Sequence, residues 1–341
     1  MKTLKSGFWA SGIGTKKVGE FESQFKKYTN SKECVAVDSG TAALDLALSV
    51  CEVKKKEVLV PSMTFVSTVH AILYNGGIPV FVDINPETLC IDTNDLQRKI
   101  SKKSKVIIPV HFGGFPCDMI NLKKIARANS LAIVEDAAHA CGTTINGKKI
   151  GSFGDFTCFS FHPVKNLAMP KGGAITVNSK NSHFIKNKLK SLRWCGIDKR
   201  NGPFYDITDL GHNYYMDEIS ATIGLVQLKK LEKMNLRRKE IAKRYFDEIQ
   251  TQDKMQFNKE CSYHLYWILV KNKKKFMKEL LGKGIETGSH YLPVHHMSYY
   301  KSKMHLPVTE QISSKIVTLP IHPNLSEADV NFIIKKINEN L

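Results

Sequence analysis

The chain has 341 residues, a net charge of +18 and an ordinary balance of apolar and charged residues, which is typical of a globular protein with one large or two unequal domains. No apolar stretch reaches the roughly 20 residues that cross a bilayer, and the first residues lack the apolar core of a signal peptide. We therefore expect a cytoplasmic protein without a membrane partner.

The basic charge comes mainly from lysine, since only seven of the 50 basic residues are arginine. Base reading and phosphate recognition favour arginine, and no basic motif interleaved with aromatic residues is present. We therefore expect a solvated lysine-rich surface and no nucleic-acid partner. The positive field can still attract a small anionic substrate such as a nucleotide diphosphate.

Eight cysteines are scattered through the chain without a C-x-x-C pair. Several lie inside apolar runs, which is typical of buried thiols in a reduced protein. The pattern indicates neither a disulfide framework nor a zinc site.

Short apolar strands alternate with helical segments along the first part of the chain. The sequence predicts a first strand within 34–40 that ends in a turn. It predicts further strands at 58–61, 79–83, 106–111 and 131–136. This alternation predicts an α/β fold with a large, mostly parallel sheet that is covered on both faces. Ligands of such sheets bind at the carboxyl ends of the strands.

The first strand ends at Ser39-Gly40-Thr41, where a helix begins and continues through Ala42. Backbone N–H groups at such a helix N-terminus suit a phosphate. The same residues could equally form an N-cap that binds no ligand.

Asp136 closes an apolar strand, where a carboxylate is costly to bury without a partner. A protonated ring nitrogen would be a suitable partner. The alternative is a structural aspartate that caps the next helix.

Lys165 lies in a polar turn between the apolar runs 156–162 and 172–177, which we interpret as buried strands. Lost hydration would lower the pKa of this lysine and allow its free amine to attack a carbonyl and form a Schiff base. Alternatively, its stem covers the core and its charge reaches solvent.

These features together match the requirements of pyridoxal 5'-phosphate. That cofactor needs a phosphate cradle, an aromatic side chain such as Phe65 against its ring, a carboxylate for its ring nitrogen and an amine for its aldehyde. Flavin and nicotinamide cofactors need no lysine, and no G-x-G-x-x-G motif follows the first strand.

The last third of the chain predicts a second domain. A helix from Met216 to about Glu248 could link it to the first, and strands at 263–270 and 316–320 indicate a small α+β unit. We therefore expect a large cofactor-binding domain at 1–245 and a small C-terminal domain at 246–341.

Several residues with possible metal-ligating side chains also occur in this part of the chain. They lack carboxylate partners at a ligand spacing, so we expect packing or substrate contacts and no metal site. The residues are His290, Tyr291, His295 and His296.

Four motifs together resemble the DegT/DnrJ/EryC1/StrS family of sugar aminotransferases. They are Ser39-Gly-Thr-Ala-Ala-Leu44, Pro61-Ser-Met-Thr-Phe65, Val134-Glu-Asp-Ala-Ala-His139 and Ser160-Phe-His-Pro-Val-Lys165. Further motifs, such as Gly211-His-Asn-Tyr-Tyr-Met216, extend the resemblance over nearly the whole chain. It implies the type I, aspartate aminotransferase-like fold of pyridoxal phosphate enzymes.

The resemblance also implies site residues. Lys165 and Asp136 would be catalytic, the first as the internal aldimine lysine and the second by keeping the ring nitrogen protonated. Phe65 would lie against the ring, and His139 would contact the ring hydroxyl. The phosphate would be bound by the backbone N–H groups of Thr41 and Ala42, by the Ser160 hydroxyl and, from the second subunit of a homodimer, by Asn213. Ser39 and Gly40 would be further cofactor-binding residues.

The implied reaction is a ping-pong amino transfer from glutamate to a keto sugar, most simply one linked to a nucleotide diphosphate. The alternatives are a keto-sugar dehydratase with the same cofactor, in which histidine would replace Lys165, and a non-catalytic binding module. Lys171 and Tyr215 depart from the family pattern, and the chain is shorter than usual between about 250 and 264. These departures put the identity of the sugar in doubt.

Overall fold

The computed structural model describes residues 1–10, 12, 14, 16–300 and 304–341, and this part of the chain contains a seven-stranded sheet. The strands are β1 (Glu33–Val37), β2 (Glu57–Pro61), β3 (Ile78–Val82), β4 (Ser104–Ile107), β5 (Ala132–Asp136), β6 (Thr144–Ile145), β7 (Lys148–Lys149), β8 (Phe156–Ser160), β9 (Gly173–Val177), β10 (Ile197–Asn201), β11 (Phe204–Ile207), β12 (Tyr266–Leu269) and β13 (Ile316–Leu319).

Helices connect most of these strands, and no described helix is both long and apolar enough to span a membrane. They are α1 (Lys2–Lys5), α2 (Lys17–Thr29), α3 (Gly40–Ser49), α4 (Val66–Tyr74), α5 (Thr93–Lys99), α6 (Met119–Ala128), α7 (Ser182–Leu192), α8 (Glu218–Glu248), α9 (Lys273–Leu281), α10 (Pro307–Lys315) and α11 (Glu327–Asn338). Short 3-10 turns occur at Phe112–Gly114 and Val294–His296.

The large sheet has the strand order β1-β9-β8-β5-β4-β2-β3. β9 runs antiparallel to both of its neighbours, and the other adjacent pairs are parallel. The predicted mostly parallel sheet is therefore confirmed. The carboxyl ends of the strands other than β9 lie on one side of the sheet, where β5 ends at Asp136 and β8 ends at Ser160.

Both faces of the sheet are covered, which explains why its strands are apolar at successive positions. In β2, Val58 and Val60 pack in a cluster with α3, α4 and α7. Leu59 points to the opposite face, where it packs with residues of α5 and α6. The period of two along the strand thus supplies apolar side chains to two separate cores.

Two predicted strands are shorter in the structure than the apolar runs suggest. The run at 106–111 ends as a strand at Ile107, because Pro109 has no N–H group to donate to a neighbouring strand. The run at 263–270 begins as a strand only at Tyr266. Tyr263 has a φ of 48°, which is a turn conformation and not an extended one.

The C-terminal part has its own apolar cluster. β12 and β13 form a separate antiparallel pair, and their buried side chains pack with those of α9, α10 and α11. Ile241, Ala242 and Tyr245 from the second half of α8 belong to the same cluster. The predicted boundary at 245/246 therefore falls inside a continuous helix, and the division into two domains stays a prediction.

The cysteines are free thiols, as expected. Seven are buried, whereas Cys195 is exposed.

Candidate functional site

A cavity of about 470 Å³ opens at the carboxyl edge of the large sheet. Its walls come from the start of α3, the segment before α4, the end of β5, the loop after β8 and two loops of the C-terminal part. The predicted site residues that line it are Ser39, Gly40, Thr41, Phe65, Asp136, His139, Ser160 and Lys165. Neither Ala42 nor Asn213 is among the lining residues.

Lys165 lies in the loop after β8, and its side chain enters the cavity. Burial lowers the pKa of the Lys165 amine to about 8, and the negative charge of Asp136 opposes this shift. His264 Nε2 lies 3.5 Å from Lys165 Nζ. A substantial fraction of this amine is therefore neutral near pH 8, as an attacking nucleophile requires.

Asp136 lies at the end of β5 and is 5% exposed. The Thr68 hydroxyl donates to Asp136 Oδ2 at 2.7 Å, and the Ala138 N–H donates to Oδ1 at 3.1 Å. Thr68 is itself held by the Thr64 hydroxyl at 2.9 Å. The carboxylate is thus fixed in the cavity wall by neutral donors, which leaves its charge for a cation in the cavity.

His139 is buried beside Asp136, and its two ring nitrogens have different partners. The Gly113 N–H donates to Nδ1 at 3.2 Å, so the proton of the neutral ring is on Nε2, 3.2 Å from the Tyr291 hydroxyl oxygen. Burial, followed by the charges of Lys165 and His264, holds the pKa of His139 well below its ordinary value. His139 is therefore a neutral donor at this wall.

The N-terminus of α3 forms the end of the cavity nearest β8. Ser39 caps the helix, because its Oγ accepts from the Ala42 N–H at 3.1 Å. The first N–H groups of the helix, at Gly40 and Thr41, have no intrahelical acceptor and remain available for an anion. Ser39 can therefore cap α3 while the N–H groups of Gly40 and Thr41 bind a phosphate. The Ala42 N–H is already bonded to Ser39.

Glycine allows this helix to approach the sheet closely. A Cβ atom at Gly40 would lie 2.8 Å from the Ser160 Cβ, and one at Gly173 would lie 2.4 Å from the Ser39 carbonyl oxygen. Either contact would displace the α3 N-terminus from Ser160. The small residues therefore bring the helix N–H groups and the Ser160 hydroxyl to the same end of the cavity.

Phe65 forms an apolar wall and is 57% exposed. It precedes α4, and its ring centroid lies 6.1 Å from that of Tyr291. A large apolar side chain that remains exposed inside a cavity is suited to cover a planar ligand.

Two charged residues of the cavity wall form an ion pair. Lys171 Nζ is 2.7 Å from Asp38 Oδ2, and both residues line the cavity. Lys171 is one of the residues that depart from the family pattern, and it is part of the cavity wall. Tyr215, the other, pairs with Val37 through a backbone bridge.

Asn213 is exposed, and its backbone pairs with Trp194 at the surface. The structure therefore does not bring Asn213 to the cavity of its own chain.

Two residues at the site were missed by the sequence reasoning. His264 lies within an apolar run that predicts a strand. Nothing in the local sequence therefore indicates that its side chain reaches the cavity. Thr68 follows Thr64 by four residues, and this one-turn spacing after a strand end could have indicated a pair of hydroxyls on one face of a helix.

The residues present fit pyridoxal phosphate. The cavity has free N–H groups and a hydroxyl at one end, a buried carboxylate in its wall, an exposed aromatic ring and a lysine amine of lowered pKa. These are the complementary groups for a phosphate, a protonated ring nitrogen, a ring face and an aldehyde.

Comparison with known proteins agrees with this fit. Residues 1–338 match the DegT/DnrJ/EryC1/StrS aminotransferase family. The chain is 34% identical to the spore coat polysaccharide biosynthesis protein SpsC of Bacillus subtilis over 99% of this chain and 92% of that one. It is 32% identical to the GDP-perosamine synthase of Escherichia coli O157:H7 over 97% of this chain and 92% of that one.

The fold also agrees with solved structures. The putative sugar aminotransferase Spr1654 from Streptococcus pneumoniae, in its PMP form, superposes with a TM-score of 0.93 at 31% identity, covering 99% of this chain and 94% of that one. The same protein has also been solved in a PLP form. The expected type I fold is confirmed. The chain belongs to the DegT/DnrJ/EryC1/StrS aminotransferase family, and the predicted enzyme class and pyridoxal phosphate cofactor are confirmed with it.

Proposed function

We propose that the protein transfers an amino group from glutamate to a keto sugar that is linked to a nucleotide diphosphate. The observation that carries the proposal is the position of Lys165, whose amine of lowered pKa shares one cavity with the buried carboxylate of Asp136. The similarity to a GDP-perosamine synthase and to a putative sugar aminotransferase supports a sugar as the acceptor.

Pyridoxal phosphate supplies an aldehyde that accepts the amino group and a ring that withdraws electrons from the substrate carbon. Lys165 would hold the cofactor through that aldehyde and, when its amine is free, would move a proton to and from the substrate carbon as a general base and acid. A lysine with a pKa of about 8 can change protonation state near neutral pH, whereas an ordinary lysine remains charged.

Asp136 would keep the ring nitrogen protonated. Its two oxygens are already oriented by Thr68 and Ala138, so the carboxylate needs little reorganisation when the ring binds. His139 would donate its Nε2 proton to the ring oxygen, and Phe65 would limit the tilt of the ring. The free N–H groups at Gly40 and Thr41 and the Ser160 hydroxyl would bind the phosphate.

His264 positions the lysine. Its Nε2 atom is 3.5 Å from Lys165 Nζ, and burial, followed by the charge of Lys165, holds the pKa of His264 well below its ordinary value. A neutral imidazole can accept a hydrogen bond from the lysine amine without adding positive charge. We therefore infer that His264 orients Lys165 after the substrate has displaced it.

We propose that a homodimer completes the site, with Asn213 reaching the phosphate in the neighbouring subunit. Asn213 is exposed and follows the β10–β11 hairpin. Phe204 and Ile207 in β11 are 77% and 59% exposed, and Leu210 just after it is 94% exposed. Such an apolar surface is costly in water and is suited to a second copy of the chain.

The decisive experiment is a panel of nucleotide-linked keto sugars incubated with glutamate and the loaded enzyme, with amino sugar formation measured by mass spectrometry. Borohydride reduction of the resting enzyme should fix the cofactor on Lys165 in a peptide map. Attachment at another lysine would contradict the assigned mechanism. Attachment at Lys165 without any amino sugar product would contradict the assigned acceptor class alone.

A further inference from the structure

Three histidines converge on one carboxylate at the start of α10, and none of these four residues lines the cavity described above. Glu310 Oε1 lies 3.2 Å from His295 Nε2 and 3.7 Å from His296 Nε2. The other carboxylate oxygen lies 2.8 Å from His305 Nδ1. One carboxylate is therefore shared by three imidazoles.

The separations suit a metal ion. Zinc binds nitrogen and carboxylate ligands at about 2.0–2.2 Å in tetrahedral geometry, which places neighbouring ligand atoms about 3.3 Å apart. The ligand atoms of His295, His296 and Glu310 all lie within 4.8 Å of one another. Small side-chain rotations would therefore place all three atoms on one ion.

The buried ligand is held in place by a hydrogen bond at its other nitrogen. His295 is fully buried, and its Nδ1 lies 2.6 Å from the Ser62 hydroxyl. When that nitrogen donates to Ser62, the lone pair of Nε2 faces Glu310. Metal-bound histidines commonly have such a partner, because it fixes the ring and its tautomer.

His296 is open to solvent, and Glu310 carries the negative charge that a metal ligand needs. The His296 side chain is 44% exposed, which leaves a path for an ion from solvent. The Leu306 N–H and then the neighbouring histidines hold the pKa of the Glu310 carboxyl below its ordinary value. Glu310 is therefore ionised at neutral pH, as a ligand must be.

We propose that His295, His296 and Glu310 bind one zinc-like divalent cation, with water as the fourth ligand and His305 bonded to the second oxygen of Glu310. From the sequence we expected no metal site, because no carboxylate lies at a ligand spacing from these histidines. The structure supplies that carboxylate from α10, 14 positions beyond His296 along the chain.

The cation would connect parts of the chain that are distant in sequence. It would link the turn at Val294–His296 to α10, and Ser62 connects His295 to the segment after β2. That segment continues to Phe65 at the cavity wall. The site is therefore structural, and it stabilises the border between the large sheet and the C-terminal part.

The test is calorimetric titration of zinc chloride into tag-free, chelator-treated enzyme that retains its cofactor. We compare wild type with His296→Gln and Glu310→Gln, and with His183→Gln as the matched control. His183 is an exposed histidine that also faces a carboxylate, at 3.6 Å from Glu33. It is not among the residues of the cluster.

We expect one equivalent of zinc to bind to wild type and to His183→Gln, with at least tenfold weaker binding to both site variants. Zinc should also raise the unfolding temperature of wild type but not of His296→Gln. The proposal is overturned if wild type shows no saturable binding of one equivalent. It is equally overturned if His296→Gln, an exposed substitution that should not affect folding, binds zinc as wild type does, since the ion would then be held elsewhere, for example by the cofactor.

Discussion

The imidazole of His264 faces the amine of Lys165 across 3.5 Å between Nε2 and Nζ. The other ring nitrogen of His264 is buried and has no hydrogen-bond partner within the described part of the chain. The His264 ring also packs against that of His139, with 4.4 Å between centroids. A buried polar group that lacks a partner is destabilising, so this ring does not stabilise the fold through Nδ1, and we assign it a positioning function at Lys165.

The first prediction concerns this pair. Replacement of His264 by Ala should lower the rate of the glutamate half-reaction about tenfold, since the lysine amine loses the group that orients it. Gln keeps an acceptor of similar reach, so His264→Gln should recover most of the rate. Stopped-flow absorbance of the cofactor measures the half-reaction directly. Equal rates in the Ala variant and wild type would contradict a positioning function.

The second prediction concerns pH. Burial lowers the pKa of Lys165 from 10.5 to about 8, so the neutral amine of the cofactor-free protein increases as the pH rises through 8 and is nearly complete by about pH 9. The rate at which pyridoxal phosphate attaches to the cofactor-free protein should therefore level off above about pH 9. Attachment to free Nα-acetyl-lysine, measured in parallel, should continue to accelerate toward pH 10.5. A protein profile that matches the free lysine would show that the amine is not buried.

The third prediction concerns the carboxylate. Asp136→Asn removes the charge but preserves the shape, so it should lower the rate of the half-reaction by about 10²–10⁴ because the ring nitrogen loses its proton. Thr68→Val removes one donor to Asp136 and leaves the charge, so we expect about a tenfold loss. The same stopped-flow assay gives both rates. A larger loss in the Thr68 variant than in the Asp136 variant would contradict this assignment.

The fourth prediction concerns the close approach of α3 to the sheet. Gly40→Ala places a Cβ atom 2.8 Å from the Ser160 Cβ, which should cost about 1–3 kcal/mol in the free energy of unfolding and weaken pyridoxal phosphate binding. Gly282→Ala is the matched control, because its nearest contact would be 3.5 Å away. Thermal unfolding and cofactor titration should distinguish the two variants. Equal effects would show that the close approach is not required.

The large sheet could be predicted because its signal is local. Apolar runs of strand length alternate with helices, and strand ends carry Ser39, Asp136 and Ser160. Since parallel strands end at one edge of a sheet, these residues could be expected to lie together before any coordinates were known. The N-cap at Ser39 was likewise available from residue type and position.

The contacts that could not be predicted depend on the packing of elements that are distant in sequence. His264 reaches Lys165 only because the C-terminal part folds over the sheet edge, and the two residues are 99 positions apart. Glu310 meets His295 and His296 because α10 packs beside the 294–296 turn. No spacing rule in the sequence connects such residues, because their distances depend on how whole elements dock.

The fifth prediction tests the shared site of the proposed dimer. Lys165→Ala and Asn213→Ala should each be nearly inactive alone. The first lacks the reacting amine, and the second binds the cofactor phosphate weakly. A mixed dimer of the two variants has one site with wild-type Lys165 from one subunit and wild-type Asn213 from the other. Random re-association of equal amounts should therefore restore about a quarter of wild-type activity. If Asn213 acted only within its own chain, every site in the mixture would lack one group and no activity would return.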